Sequence, residues 1–184
     1  MLFKFNSGAP FLLLFLASLL LNSGCNYVHR PSNWNTTQVE IARDEFGVPH
    51  IFGITDADVA YGLAWAHAED DFQTIQMTVL AGKGLAGRVF GEQGAAIDFF
   101  VNLLETREIA KEKYEESFSP EFKKVLEGYA AGLNDFAFAH PEEILYQAAF
   151  PITPTEIISA YILSLAQMSG ADRAVQAKIG RAHV

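Results

Sequence analysis

Across 184 residues, 22 Asp and Glu outweigh 13 Lys and Arg, giving a formal net charge of −9 at pH 7. Binding a nucleic-acid backbone needs a basic patch that displaces counterions, so this balance excludes nucleic acid as a partner. Half the residues are hydrophobic and 15 are Phe, which excludes a disordered chain and suits about one domain.

The chain opens as a targeting segment. One cation, Lys4, precedes an unbroken apolar run from Phe11 to Leu21. That length suits the apolar region of a secretory signal and falls short of a comfortable membrane span. Ser23 and Gly24 then lead to Cys25, the only cysteine. A Cys after small residues at this boundary resembles a bacterial lipoprotein signal, whose thiol is lipidated and becomes the first residue. Asn22 departs from the aliphatic residue usual there, and a plain signal cut nearby is the alternative. The expectation is a signal peptide over residues 1–24 and an exported, periplasmic protein anchored to the membrane through lipid on Cys25. A lone cysteine permits no intrachain disulfide. Loss of residues 1–24 removes Lys4 and no acid, leaving 12 basic against 22 acidic side chains and a net charge of −10. Residues 25–36, with Pro31, Ser32 and no periodicity, read as a tether.

Order is expected from Thr37. Val39 and Ile41 alternate with Gln38 and Glu40, the period-two mark of a half-buried strand. Asp44-Glu45-Phe46-Gly47 supplies turn chemistry, with Gly47 able to take positive φ. Val48-Pro49-His50-Ile51-Phe52 is a second extended run, which Pro49 places at an edge or a strand start. The pattern predicts a β-hairpin. Thr55 followed by Asp58 is a capping-box start in its Asp form. Val59, Leu63, Ala66, Phe72, Ile75 and Val79 then trace a helical face to near Leu80, with a bend expected near Gly62. The glycine-rich stretch Gly82 to Gly94 reads as a loop, and a weaker helix is expected from near Asp98 to Glu116. Ser119-Pro120 is an N-cap with proline at the first helical position. The stripe Phe122, Val125, Leu126, Tyr129, Leu133, Phe136 follows at helical spacing, and His140-Pro141 ends it. Thr153-Pro154-Thr155-Glu156 is the strongest helix start in the chain, opening a helix that runs to near Met168.

Several chemical signals are discounted on context. Gly82-Lys83-Gly84-Leu85-Ala86-Gly87 fits G-x-G-x-x-G, but a dinucleotide site needs a strand before that loop, and here a helix precedes it. His67, Asp70 and Asp71 can share one helix face, which reads as a polar or paired surface rather than a metal site lacking further ligands. His50 reads as a hydrogen-bonded structural imidazole. No G-x-S-x-G elbow occurs and Cys25 belongs to the signal boundary, so no nucleophile emerges. The last six residues, Ile179-Gly180-Arg181-Ala182-His183-Val184, read back into codons as ATC GGA AGA GCA CAC GTC, one frame of a common sequencing-library adapter. Residues 179–184 are therefore expected to be a non-native tail on the front part of a longer protein.

The run Ile41-Ala42-Arg43-Asp44-Glu45-Phe46-Gly47-Val48-Pro49-His50-Ile51 resembles the start of the α chain in the penicillin acylase family. There a strand, an Arg-Asp pair, a Gly-Val-Pro-His turn and a helix with an Ala-Glu-Asp element recur in that order. The likeness continues through Thr55-Asp56-Ala57-Asp58, Tyr61-Gly62-Leu63-Ala64, Ala66-His67-Ala68-Glu69-Asp70-Asp71-Phe72, Gln76, Gly84-Leu85-Ala86 and Phe90-Gly91. Gly128-Tyr129-Ala130-Ala131-Gly132-Leu133-Asn134 and Thr153-Pro154 complete it, so it spans Val39 to Met168. The Ala-Glu-Asp-Asp form departs from the Ala-x-Asp-Arg of many members and leans towards acyl-homoserine-lactone and aculeacin acylases.

The resemblance implies an α+β protein. Residues 37–178 would form part of the domain, mostly α-helical with an N-terminal β-hairpin, within an αββα N-terminal-nucleophile hydrolase sandwich in the whole. It further implies a precursor that cuts itself into α and β chains. The β chain's first residue, a serine beyond Val184, would hydrolyse acyl-amine bonds of linear amides such as penicillins or acyl-homoserine lactones. The partners implied are the protein's own β chain and an acylated small-molecule amide. No cofactor is expected in this stretch; calcium in the full-length protein, as in some members, stays open. Leu165, Met168 and Ser169 are the implied candidates for lining the acyl pocket, against a plain reading as core packing. The competing class is a complete, lipid-anchored, mostly helical periplasmic binding or scaffold protein without catalysis.

Overall fold

A computed structural model of the chain describes residues 31–171 and Arg173. Its hairpin comprises β1 (Val39–Arg43) and β2 (Pro49–Gly53), antiparallel with Ile41 opposite Ile51. Val39, Ile41, Pro49 and Ile51 are half-buried while Glu40, Ala42, His50 and Phe52 are exposed, as the alternation requires. Gly47 lies at φ 81 and closes the turn by donating its N–H to the Asp44 carbonyl at 3.0 Å.

Five helices follow: α1 (Asp56–Lys83), α2 (Ala86–Leu103), α3 (Thr106–Ser117), α4 (Pro120–Ala139) and α5 (Pro154–Met168). Their starts use the caps that the sequence contains. Asp58 N–H donates to Thr55 Oγ1 at 3.2 Å, and Thr55 N–H donates back to Asp58 Oδ2 at 3.0 Å. Phe122 N–H donates to Ser119 Oγ at 3.2 Å, and Thr153 N–H donates to Glu156 Oε2 at 2.7 Å. His140 ends α4 as expected.

Three expectations need correction. The bend in α1 falls at Asp71 (φ −157, ψ 69) and not at Gly62. The Asp71 carboxylate accepts Thr74 N–H at 3.0 Å, so it caps the second half of the helix as Asp does at any N-terminus. Gly62 serves a different purpose: a Cβ there would lie 2.6 Å from Ile51 Cγ2 and 2.9 Å from Val39 Cγ1, so its absence lets the hairpin settle on α1. Second, the stretch Gly82 to Gly94 is largely helical. Gly84 (φ 67), Leu85 (φ −119, ψ 5) and Gly91 (φ 62) leave helical geometry, the two glycines in a region that glycine enters at no steric cost. Third, the helix expected from Asp98 to Glu116 is two helices, broken at Glu105 (φ 52).

The expected face of α1 is also only half right. Val59 and Leu63 are 36% and 38% exposed, whereas Ala57, Ala60, Ala64 and Ala68 are buried one turn apart. The reason lies on α4, where Gly128 and Gly132 press on the main chain of Ala57 and Tyr61. Helices this close admit only small residues at the crossing. Beyond it the two helices diverge around larger side chains. Phe72, Leu80, Leu133, Phe136, Phe150 and Ile152 form the main core, with Phe72 edge-on to Phe136 at 5.0 Å. α5 crosses the end of α1 at Gly82, where a Cβ would lie 2.7 Å from that of Ala160.

Ser32 and Trp34, in the stretch expected as a tether, dock on this framework. Ser32 donates its N–H to Asp135 Oδ1 and its hydroxyl to Asp135 Oδ2 at 2.7 Å. Trp34 stacks on Tyr61 at 6.0 Å and donates its indole N–H to Asp58 at 3.2 Å.

Candidate functional site

The residues of the hairpin motif and of the Ala-Glu-Asp element meet on one surface. Arg43 donates to Glu69 Oε2 at 3.0 Å and to the Gly47 carbonyl at 2.8 Å, and it pairs with Asp70 at 2.9 Å. Asp44 accepts Val48 N–H at 3.0 Å and Phe46 N–H at 2.9 Å, with His50 Nε2 3.3 Å from its other oxygen. These bonds, the one from Val48 foremost, hold the Asp44 carboxyl below the usual carboxylate range. His67 Nδ1 lies 3.2 Å from the Tyr129 hydroxyl, a phenol that burial pushes upward and keeps neutral. The cluster clasps the hairpin to α1. In the structure His50 meets Asp44, His67 meets Tyr129, Asp70 pairs with Arg43 and Asp71 accepts Thr74 N–H.

The glycine-rich string has structural uses as well. Gly82 makes room for α5, Gly84 ends α1, and the Ala86 and Gly87 N–H groups donate to the Asp98 carboxylate at 2.8 and 2.9 Å. Asp98 thereby caps α2 from its own later turn, leaving no free anion cradle there.

Polar side chains that the sequence reading passed over hold the interior. Asp135 accepts bonds from Ser32 and, at 2.9 Å, from the Tyr61 hydroxyl, whose pKa is raised by burial and then by this carboxylate. Gln76, 1% exposed, donates to the Glu143 carbonyl at 3.0 Å and accepts Leu145 N–H at 2.7 Å. Ser159 donates to the Gly82 carbonyl at 2.8 Å, so Thr106, 3.0 Å away, must donate to Ser159. The one available signal was helical spacing: Gln76 lies one turn from Phe72, Val79 and Leu80, and Asp135 one turn from Ala131, Phe138 and Ala139.

Two cavities with apolar walls lie along α5. One cavity of ≈ 280 Å³ opens between α1, α4 and α5, with Ile75, Val79, Leu133, Ile157 and Ala160 as apolar walls and Thr74, Tyr129, Tyr161 and Ser164 as hydroxyl groups. A second, of ≈ 380 Å³, lies on the other side of α5 between α3 and α4, walled by Ile109, Phe118, Phe122, Leu126, Ile158 and Ile162. Ile157 and Tyr161 line both. This lining suits an apolar group with a few hydroxyls to orient it. Among the described residues the hydroxyl hydrogen-bonded to a histidine is that of Tyr129, to His67. Among the same residues no three His, Cys, Asp or Glu side chains converge as metal ligands.

Leu165, Met168 and Ser169 lie at the C-terminal end of α5, outside the linings of both cavities. Leu165 and Met168 are 48% and 82% exposed, and Ser169 donates to the Ala166 carbonyl at 2.7 Å. Cys25 and the terminal residues 179–184 lie outside the described residues.

The family described as penicillin amidase matches residues 38–183. The penicillin acylase 2 proenzyme of Pseudomonas sp. (strain SE83) is 31% identical over 98 residues, covering 53% of this chain and 12% of that protein. The acyl-homoserine lactone acylase PvdQ of Pseudomonas savastanoi pv. phaseolicola (strain 1448A / Race 6) is 30% identical over 105 residues, covering 53% of this chain and 13% of that protein. The chain thus spans about one-eighth of the length of these relatives. In fold it is similar to a thermostable penicillin G acylase from Alcaligenes faecalis, with a TM-score of 0.59 at 24% identity over 71% of this chain and 73% of that one.

Proposed function

The chain belongs to the penicillin amidase family, and from that premise we propose that it is the leading part of an exported precursor of a linear-amide hydrolase. The carrying observation is the family match from residue 38 to residue 183, which favours an amidase over a binding or scaffold protein. The relatives' names, penicillin acylase and acyl-homoserine lactone acylase, point to an acylated small-molecule amide as substrate.

In this reading the nucleophile is a serine at the start of a β chain beyond Val184, released when the precursor cuts itself. Its own α-amine, with an ordinary pKa near 8, takes the hydroxyl proton as the serine attacks the amide carbonyl. Hydrogen-bond donors of the β chain hold the oxyanion, and the amine leaves with the proton. The present chain contributes packing surface and part of the acyl pocket. Leu165 and Met168 are exposed at the end of α5, where a second chain can cover them, and Ser169 follows them. Lipid on Cys25 anchors the whole to the membrane on the periplasmic side.

The test is periplasmic expression of the full-length gene. Two chains should form, the larger beginning with serine, and purified protein should release acyl groups from linear amides. Replacing that serine by alanine should leave one uncut, inactive polypeptide, and Cys25→Ala should move the protein from the membrane to the soluble fraction. An active enzyme that never divides would overturn the proposed chemistry.

A further inference from the structure

The hairpin has two strands, so among the described residues no strand lies beside β1 on the side away from β2. Which main-chain groups face that open edge follows from the turn. Asp44 N–H donates to the Val48 carbonyl at 3.2 Å, which makes Asp44 and Val48 a hydrogen-bonded pair. Bonded and non-bonded pairs alternate along an antiparallel ladder. Ala42–His50 and Glu40–Phe52 are therefore bonded, while Arg43–Pro49, Ile41–Ile51 and Val39–Gly53 turn their main-chain groups outward. Val39 N–H is taken by the Thr36 carbonyl, which leaves the amides of Ile41 and Arg43 at the outer edge of β1. The outer edge of β2 differs: Pro49 stands there without an N–H, one of the ways in which proteins keep an edge from pairing.

A groove of ≈ 450 Å³ runs beneath the β1 edge, lined by Thr36, Val39, Ile41, Tyr61, Trp65 and Glu69 and by no residue of β2. Val39 and Ile41 are half-buried from the strand side, and Tyr61, Trp65 and Glu69 follow one another at one-turn spacing on α1. Glu69 is already engaged, accepting from Arg43 and, at 3.0 Å, from Trp65 Nε1. What the groove lacks is apolar cover, and what the edge above it lacks is a partner for main-chain groups.

We propose that a β-strand from the rest of the precursor pairs with β1 at this edge and lowers its inward apolar side chains into the groove. This rests on the precursor reading above: the chain spans about one-eighth of the length of its relatives, so most of that protein is available to supply the strand. A second copy is the poorer fit. Its own β1 already seats Val39 and Ile41 on its own α1, whereas the groove takes a strand whose inward side chains are free. Main-chain bonds of an added strand supply affinity and the side-chain groove supplies register. A third strand also relieves the marginal stability of a two-stranded hairpin.

Amide hydrogen exchange of the full-length protein tests this, with chain division and amide hydrolysis scored on the same sample. The Ile41 and Arg43 amides should exchange at least about a hundredfold slower than unpaired amides, as a ladder amide does. Ile41→Pro and Ile51→Pro provide the control, since each removes one inward isoleucine of the same cross-strand pair and one outward N–H. Ile41→Pro should restore fast exchange at Arg43, whereas Ile51→Pro should leave it within about threefold of wild type. A benzophenone side chain in place of the exposed Thr36 should cross-link to a peptide from beyond Val184 of the same molecule. Fast exchange at Ile41 and Arg43 in a divided, active protein overturns the strand and leaves the amidase reading standing. Protection that fades on dilution, or a cross-link to a second copy, overturns it in favour of a dimer. Equal effects of the two prolines overturn it as well, leaving general burial as the source of protection.

Discussion

The crossing of α1 with α4 and the surroundings of α5 are two kinds of interior. At the crossing, Ala57, Ala60 and Ala64 meet Gly128 and Gly132, main chain touches main chain, and the carboxylates of Asp58 and Asp135 pin Trp34 and Ser32 across the joint. Around α5, cavities of ≈ 280 and ≈ 380 Å³ stay open beside Tyr161, and Leu165 and Met168 extend from the helix end. The first region is complete within this chain. The second has apolar surface that the described residues do not cover.

The largest break of that contrast should come from Gly128→Val. The new side chain would overlap the Ala57 carbonyl, and overpacking at a main-chain contact costs about 3 kcal/mol or more. The urea midpoint of the full-length protein should fall sharply. An unchanged midpoint would show the crossing to be looser than described.

Next comes Asp135→Ala, which strips the acceptor from Ser32 and from the buried Tyr61 hydroxyl. Leaving a buried donor unsatisfied costs about 1–3 kcal/mol. Proteolysis near Ser32 should accelerate with the drop in stability, and retained protection would detach the strap from this carboxylate.

A smaller effect of opposite sign is expected at α5. Ser164→Leu places apolar volume in the ≈ 280 Å³ cavity and should raise stability by about 1 kcal/mol. If the cavity receives the acyl group, KM for long acyl amides should rise at the same time. Lower stability with unchanged KM would mean that the space is already filled.

The smallest effect concerns the hairpin turn. Asp44 titrates below 3.8 in the folded chain, so its contribution is present above that unfolded-state value and drains away as pH falls through the lower folded one. Because Asp44 lies at the surface, where solvent screens its charge, the effect should register only as a slight acid sensitivity of hairpin amide exchange, absent in Asp44→Asn.

Read alone, the sequence determined what depends on neighbours three or four residues away. The Thr55–Asp58 box, the Ser119-Pro120 start, the Thr153–Glu156 pair and the alternation of Val39 and Ile41 all return as structure, because a cap or a pleat is satisfied within its own turn. The motif carrying the family likeness was equally legible, although nothing local shows that Arg43 reaches Glu69 and Asp70. Tertiary structure decided which face of α1 is buried. A periodic reading favours large apolar residues, yet two helices in main-chain contact select alanine and glycine and turn Val59 and Leu63 outward. It also decided the roles of Asp135 and Gln76, whose partners lie 74 and 69 residues away, at distances that no local pattern encodes.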